Sequence, residues 1–158
     1  MSESYVDIML QSLEKKILVL DHIIELNRRQ RIGLENPNFT PEEFDEIVED
    51  KSDLIGKLEQ LDSGFEKLFA RMKDELEGNK ENYKEQIQRM KEYIRMITDK
   101  SVQIQAQESR NKDLMTQKFT QIKSQAKTVR SGVKATDQYR KNMEKLNYIE
   151  PQFMDNKN

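Results

Sequence analysis

The sequence predicts an all-α protein, built as an elongated antiparallel bundle of three long helices. Apolar residues recur at steps of three and four along most of the chain, which is typical of amphipathic helices. Only 5 Gly and 3 Pro occur in 158 residues, and charged residues make up 35% of the chain. This composition favours long, coiled-coil-like helices over a compact globule, and the length fits a single domain spanning residues 1–158.

The first helix is predicted at about residues 3–34. Its apolar face has spacings of three and four, and it fades into the polar residues that follow position 26. The sequence Asn-Pro-Asn at 36–38 ends the helix, because Pro lacks an amide donor and restricts the residue before it. The residues of the face are Val6, Met9, Leu13, Ile17, Leu20 and Ile24, with Leu10, Ile23 and Leu26 widening it.

The second helix is predicted at about residues 41–77 and has the clearest start signal in the chain. Thr40 suits the N-cap and Pro41 suits the first helical position, where its missing donor costs nothing. Glu43 completes a capping box, and Phe39 and Phe44 are placed to form a hydrophobic staple.

One apolar stripe follows along the second helix, and Lys51 interrupts it. The stripe alternates steps of four and three from Leu54 to Met72, as in a coiled-coil seam. It consists of Phe44, Ile47, Leu54, Leu58, Leu61, Phe65, Leu68, Met72 and Leu76.

The third helix is predicted at about residues 80–131, with Gly78 ending the second helix and Asn79 capping the third. Its middle, residues 98–113, is polar, and Ser101, Glu108 and Asn111 occupy positions on the seam. One interpretation is a solvated stretch or a polar layer that sets the register between helices. The alternative is a specific binding surface built from Gln103, Gln105, Gln107 and Arg110.

The predicted third helix is longer than the two helices that could cover its apolar stripe. Running antiparallel to the second helix, it reaches the level of Thr40 at about residue 117, yet an apolar stripe with Phe119, Ile122 and Val129 continues beyond that point. Soluble proteins rarely leave such a stripe bare. Either the third helix overhangs and residues 114–146 dock a partner, or it breaks near residues 109–111 and folds back as a fourth helix. Residues 133–158 are expected to be partly flexible.

Several classes of function are disfavoured. No Cys is present, His22 is alone and lies off the main apolar face, and no catalytic or phosphate-binding motif occurs, so we expect no enzyme, no metal and no cofactor. No apolar run is long enough to cross a bilayer, and the N-terminus lacks the pattern of a signal peptide, which predicts a cytoplasmic protein without membrane insertion.

Charge is unevenly distributed: residues 1–79 hold 10 basic and 19 acidic side chains, against 17 and 10 in residues 80–158. An acidic half packing beside a basic half explains this pattern, and a basic arm reserved for an acidic partner is the alternative. The basic residues of the C-terminal part are spaced along a helix with an apolar face, so nucleic acid is not an expected partner.

Several blocks of this chain resemble the FlgN-like family of flagellar type III export chaperones, and the FliT-like chaperones are the second candidate family. The similarity covers most of the chain. The blocks are the helix at 5–26, FDEIVEDK at 44–51 with LIGKL at 54–58, IQAQE at 104–108 with RNK at 110–112, and YIEPQFM at 148–154.

The resemblance implies a non-enzymatic cytoplasmic chaperone that holds flagellar hook-associated proteins before export, with the export apparatus as a further candidate partner. It also implies that the C-terminal amphipathic region binds the partner. A homodimeric coiled-coil structural or adaptor protein is the alternative, whereas the chaperone would be a monomer or a weak homodimer. The residues expected to bind the partner are Met115, Phe119, Ile122, Ala126, Val129, Val133, Tyr139, Met143 and Leu146.

Overall fold

The computed structural model describes residues 2–121 together with Lys141. Three helices account for most of these residues: α1 (Ser2–Leu34), α2 (Pro41–Gly78) and α3 (Lys84–Gln121). No strand occurs among the described residues, and the helices pack against one another, which confirms the predicted all-α bundle of three long helices. The predicted end of the third helix near residue 131 and the predicted flexible segment at 133–158 lie outside the described residues.

The turn between α1 and α2 has the predicted N-cap residue and the predicted staple. Thr40 is extended (φ −89°, ψ 155°), and its hydroxyl accepts a hydrogen bond from the Glu43 amide at 3.1 Å. The rings of Phe39 and Phe44 meet edge to face with centroids 6.3 Å apart, so the staple is present. Gly33 provides the space for this packing, because a Cβ there would lie 2.6 Å from the Phe39 ring.

The connection between α2 and α3 differs from the prediction. Gly78 is still helical, and Asn79 is the C-cap of α2, with its amide donating to the carbonyl of Glu75 at 2.9 Å. Asn79 as N-cap of the third helix was therefore wrong. The Asn82 amide then donates to the Asn79 carbonyl at 3.0 Å, which forms a turn, and α3 begins only at Lys84 instead of residue 80.

The first helix is the centre of the bundle. α1 packs closely along both α2 and α3, whereas α2 and α3 approach each other less closely. The antiparallel hairpin of α2 and α3 is thus held together mostly through α1. The largest apolar cluster, called the main core below, comprises Val6, Met9, Leu10, Leu13, Ile17, Leu20, Ile23, Leu26, Leu54, Ile55, Leu58, Met72, Leu76, Tyr83, Met90, Ile94, Ile97 and Ile104.

Polar contacts between helices show the register. Lys100 Nζ lies 2.6 Å from Asp21 Oδ1, and the Tyr93 hydroxyl donates to Glu14 Oε1 at 2.9 Å, so α1 and α3 run in the same direction. Lys16 Nζ lies 2.6 Å from Asp62 Oδ1 and ties α1 to the antiparallel α2.

The third helix is continuous through its polar middle. α3 extends from Lys84 to Gln121, so the suggested break near residues 109–111 was wrong. Glu108 and Asn111 are buried, so the interpretation of this stretch as solvated also fails at these two residues. Whether the chain turns back after Gln121 concerns residues outside the described part.

Candidate partner-binding site

The start of the predicted docking stripe lies where α3 reaches the turn between α1 and α2. Lys118 Nζ donates to the carbonyl of Asn36 at 2.8 Å, and the rings of Phe119 and Phe44 meet edge to face at 5.8 Å. These contacts place residues 118 and 119 at the end of α1 and the beginning of α2. The level estimated from helix lengths, residue 117 opposite Thr40, agrees with this arrangement.

Met115 was expected on the docking stripe, but it is only 1% exposed. It lies in a second apolar cluster, called the end cluster below, and its side chain is covered by its own chain because α1 and α2 extend to this level. Phe119 is partly buried against the same cluster. The end cluster consists of the buried Leu34, Phe44, Val48 and Met115, with Phe39, Leu114 and Phe119 packed against it.

The other predicted contact residues follow Gln121 in the sequence, and the structure says nothing about them. They are Ile122, Ala126, Val129, Val133, Tyr139, Met143 and Leu146, all outside the described residues. Their role in binding stays a prediction.

Sequence reasoning missed the most unusual feature of the interior, a buried ion pair. Lys51 on α2 and Glu108 on α3 are both 0% exposed, and Lys51 Nζ lies 2.8 Å from Glu108 Oε1. The same ammonium donates to Asn27 Oδ1 at 2.9 Å and to Gln30 Oε1 at 3.1 Å, both on α1. One lysine therefore bridges all three helices.

Asn111 extends this network. Its amide nitrogen donates to the carbonyl of Asn27 at 2.9 Å and to Gln30 Oε1 at 3.2 Å. We call these five side chains (Asn27, Gln30, Lys51, Glu108 and Asn111) the polar layer. Gln107 lies at its edge, donating to the carbonyl of Ile24 at 3.2 Å and accepting from the Asn27 amide at 3.2 Å.

Two opposing effects act on the pKa of Lys51 in the polar layer. Burial lowers the pKa of the Lys51 ammonium, while the charge and hydrogen bond of Glu108 act against that shift. Two polar atoms of the layer, Glu108 Oε2 and Gln30 Nε2, have no hydrogen-bond partner within the described part of the chain. Such a layer contributes little net stability but fixes how the helices align.

A signal for this layer existed in the sequence. Lys51 interrupts the apolar stripe of the second helix, and Glu108 and Asn111 interrupt that of the third. Seen one helix at a time, each interruption looks like an ordinary surface residue, since charged side chains are usually solvated. Only their common level in an antiparallel pair suggests that they meet. The interpretation as a register-setting polar layer anticipated the arrangement, but it did not include Lys51, Asn27 or Gln30.

A second ion pair lies beside the main core. Lys16 is 4% exposed, and burial lowers the pKa of its ammonium despite Asp62 at 2.6 Å. Burial likewise raises the pKa of Asp62, against the opposing effect of Lys16. Unlike Lys51, Lys16 joins two helices instead of three.

Two features are absent from the described part of the chain. Within residues 2–121 and at Lys141, no cluster of acidic and histidine side chains has the geometry for a metal ion. None of the described helices has an apolar stretch of the length and hydropathy that crossing a membrane requires. The buried side chains of the polar layer bond to one another and connect the three helices.

The fold and these contacts define the protein as an all-α helical bundle. A family model described as FlgN protein matches residues 1–146, so the chain belongs to the FlgN family. FlgN proteins are flagellar export chaperones, a cytoplasmic family not known for enzymatic activity, and they bind flagellar proteins. No curated protein and no solved structure matches the chain.

Proposed function

We propose that this protein is a cytoplasmic chaperone that binds flagellar hook-associated proteins and holds them for type III secretion. Its binding site is the C-terminal amphipathic segment that begins at Phe119. The FlgN family supports the general role. The observation that carries the site is the position of Lys118 and Phe119 against Asn36 and Phe44, at the end of α1 and the start of α2.

The geometry of the bundle end supports this site. α1 ends at Leu34 and α2 begins at Pro41, so neither helix extends past the level of Phe119. The sequence continues beyond this level with further apolar residues, Ile122 and Val129 among them. An apolar helix of a secretion substrate is a suitable partner for such a stripe.

The expected affinity is moderate and the complex is releasable. Burying about 600 Å² of apolar surface yields on the order of 15 kcal/mol before costs. Ordering the substrate segment and losing its overall motion consume most of this free energy. A chaperone that must hand its cargo to the export apparatus requires a complex of this kind.

A monomer or weak dimer fits the described packing better than a stable coiled-coil dimer. The apolar seam of the second helix, with Leu54, Leu58 and Met72, is buried within one chain. A stable homodimer would therefore need a different apolar surface as its interface. Sedimentation at nanomolar concentration distinguishes the two, because a dedicated coiled coil remains dimeric there.

The test is a titration calorimetry experiment with purified hook-associated proteins. The variant Ile122→Asp with Val129→Asp places two charges in the proposed stripe, and we expect at least a tenfold loss of affinity with nearly unchanged thermal melting. The matched control is Val102→Asp, because Val102 is an apolar residue of α3 that is already 61% exposed.

Each other outcome has a distinct meaning. Wild-type affinity in the double variant would place the site elsewhere while retaining the chaperone function. Failure of the wild-type protein to bind any hook-associated protein would contradict the proposed cargo. A collapse of melting in the double variant alone would assign that stripe to the interior of the bundle.

A further inference from the structure

The buried apolar residues form two clusters, and the polar layer lies between them on all three helices. The partly buried Ile47, which precedes Lys51 on α2, packs against the main core at the boundary. On α1, Asn27 and Gln30 lie between Leu26 of the main core and Leu34 of the end cluster. The same order holds on the other two helices. On α2, Lys51 separates Leu54 from Val48, and on α3, Glu108 and Asn111 separate Ile104 from Met115.

The polar layer couples the two clusters weakly. A buried ion pair gains attraction but loses the hydration of both charges, and the two terms nearly cancel. Glu108 Oε2 and Gln30 Nε2 also lack hydrogen-bond partners within the described residues. Water that enters when the layer opens hydrates the Lys51 and Glu108 charges and satisfies both orphan atoms, so opening at this level is less costly than opening an apolar layer.

The end cluster beyond the layer is small. Its buried members are Leu34, Phe44, Val48 and Met115, compared with the many residues of the main core. The last described turn of α3 is tied to the rest of the chain by the hydrogen bond from Lys118 to Asn36 and by the ring contact of Phe119 with Phe44. Regions with few buried apolar contacts are those that open without global unfolding.

We infer that the polar layer divides the bundle into two units of unequal stability and that the end cluster opens while the main core stays folded. Opening frees α3 after Glu108 from the turn between α1 and α2. It stops at the layer, because the next step would expose the apolar side chains of Leu26, Leu54 and Ile104 to water.

Opening also enlarges the apolar surface that is available to a partner. Met115 and Phe119 leave the end cluster and extend the apolar stripe that continues with Ile122. This consequence rests on the proposed function, whereas the opening itself is a property of the chain alone. Partner binding and opening are then coupled, since a partner that covers Met115 binds only the open form.

Amide hydrogen exchange on the full chain tests the inference. In the wild-type protein we expect amides 112–118 to exchange at least tenfold faster than amides 94–100 of the same helix. In the variant Lys51→Met with Glu108→Leu, two apolar side chains replace the buried ion pair while Asn27, Gln30 and Asn111 remain. Opening then no longer hydrates two charges, and protection of 112–118 should rise at least tenfold. The matched control is Lys16→Met with Asp62→Leu, which removes an ion pair that lies on no boundary and should leave amides 112–118 unchanged.

Several results would overturn the inference. Equal protection of 112–118 and 94–100 in the wild-type protein means a single cooperative unit. An unchanged difference in the Lys51→Met, Glu108→Leu variant means that ordinary end fraying explains the fast exchange. If this variant does not fold, exchange of the wild-type protein in increasing urea decides: local opening of the end cluster has a much weaker urea dependence than global unfolding.

The link to the proposed function is measured separately. If Met115 joins the docking stripe, the Lys51→Met, Glu108→Leu variant binds a hook-associated protein several-fold more weakly than the wild-type protein does. Equal affinity would restrict the docking stripe to residues after Phe119 and remove the coupling. A wild-type protein that binds no hook-associated protein contradicts the proposed function and leaves the exchange result intact.

Discussion

The main core and the polar layer are buried to the same degree, but they are built from opposite chemistry. Leu58 in the main core and Lys51 in the polar layer are each 0% exposed. Burying a leucine stabilises the bundle by about 1.5–3 kcal/mol, because its apolar surface leaves water. Burying Lys51 with Glu108 contributes close to nothing, because each charge loses its hydration. Equal burial therefore does not mean an equal contribution to stability.

What the polar layer contributes is selection among arrangements. Leucines on two helices pack acceptably in several registers, whereas Lys51 meets Glu108, Asn27 and Gln30 in one. Sliding α3 by a turn would bury a lysine or a glutamate without its partner, at a cost of several kcal/mol. The layer thus acts against wrong alignments, while the main core supplies the driving force.

The largest expected effect comes from breaking the ion pair on one side. Glu108→Gln keeps the size of the side chain but leaves the Lys51 ammonium buried without a negative charge, and we expect a loss on the order of 3–5 kcal/mol in the free energy of unfolding. Urea denaturation followed by circular dichroism measures it. Glu92→Gln, on the exposed surface of the same helix, is the control and should change stability by less than about 0.5 kcal/mol. A small effect at Glu108 would mean that the pair is not buried in solution.

The same variant makes stability depend on pH. Burial already lowers the pKa of Lys51 below its ordinary value of 10.5, and without Glu108 the opposing effect is gone. In the window between the lowered folded pKa and 10.5, the unfolded chain binds the proton and the folded chain does not, so stability rises with pH. The Glu108→Gln protein should therefore regain stability relative to the wild-type protein as pH rises from 7 to 10. A constant difference would mean that Lys51 keeps its proton throughout.

The next largest loss of stability is expected from truncating an apolar side chain of the main core. Leu58→Ala removes a fully buried side chain from the main core and should cost about 3 kcal/mol, through lost burial and the cavity left behind. Unlike the loss at Glu108, this loss should not vary between pH 7 and 10. Leu18→Ala is the matched control, because Leu18 is 68% exposed. A comparable loss at Leu18 would mean that a partner or second copy covers that residue in solution.

The smallest expected changes in stability come from replacing two glycines by alanine, Gly64 on α2 and Gly33 beside the end cluster. A Cβ at Gly64 meets nothing within 4 Å, so Gly64→Ala should stabilise α2 by about 0.5–1 kcal/mol through helix propensity. At Gly33 the added Cβ would lie 2.6 Å from the Phe39 ring. The ring must therefore move, which disturbs the end cluster. We therefore expect a loss of stability there, concentrated in the exchange of amides 112–118. A gain at both positions would show that Phe39 moves aside without cost.

Local patterns in the sequence determined much of this protein. Thr40 and Pro41 specify the start of α2, because their effects act within one turn of helix. The apolar periodicity of Val6 to Leu20 identifies the buried face of α1, and helix lengths alone place residue 117 of the third helix level with the turn between α1 and α2. All of these features depend on residues that are close in sequence or on the fixed rise of a helix.

The tertiary structure decided which of the polar interruptions are buried together. Nothing near Lys51 in the sequence distinguishes it from a solvated lysine, since its partners are 21 to 57 positions away on two other helices. Met115 likewise belongs to the interior because Leu34, Phe44 and Val48 surround it, although its own helix presents it as the start of a free stripe. Desolvation and pairing depend on which surfaces meet in space, and helical periodicity contains no information on that meeting.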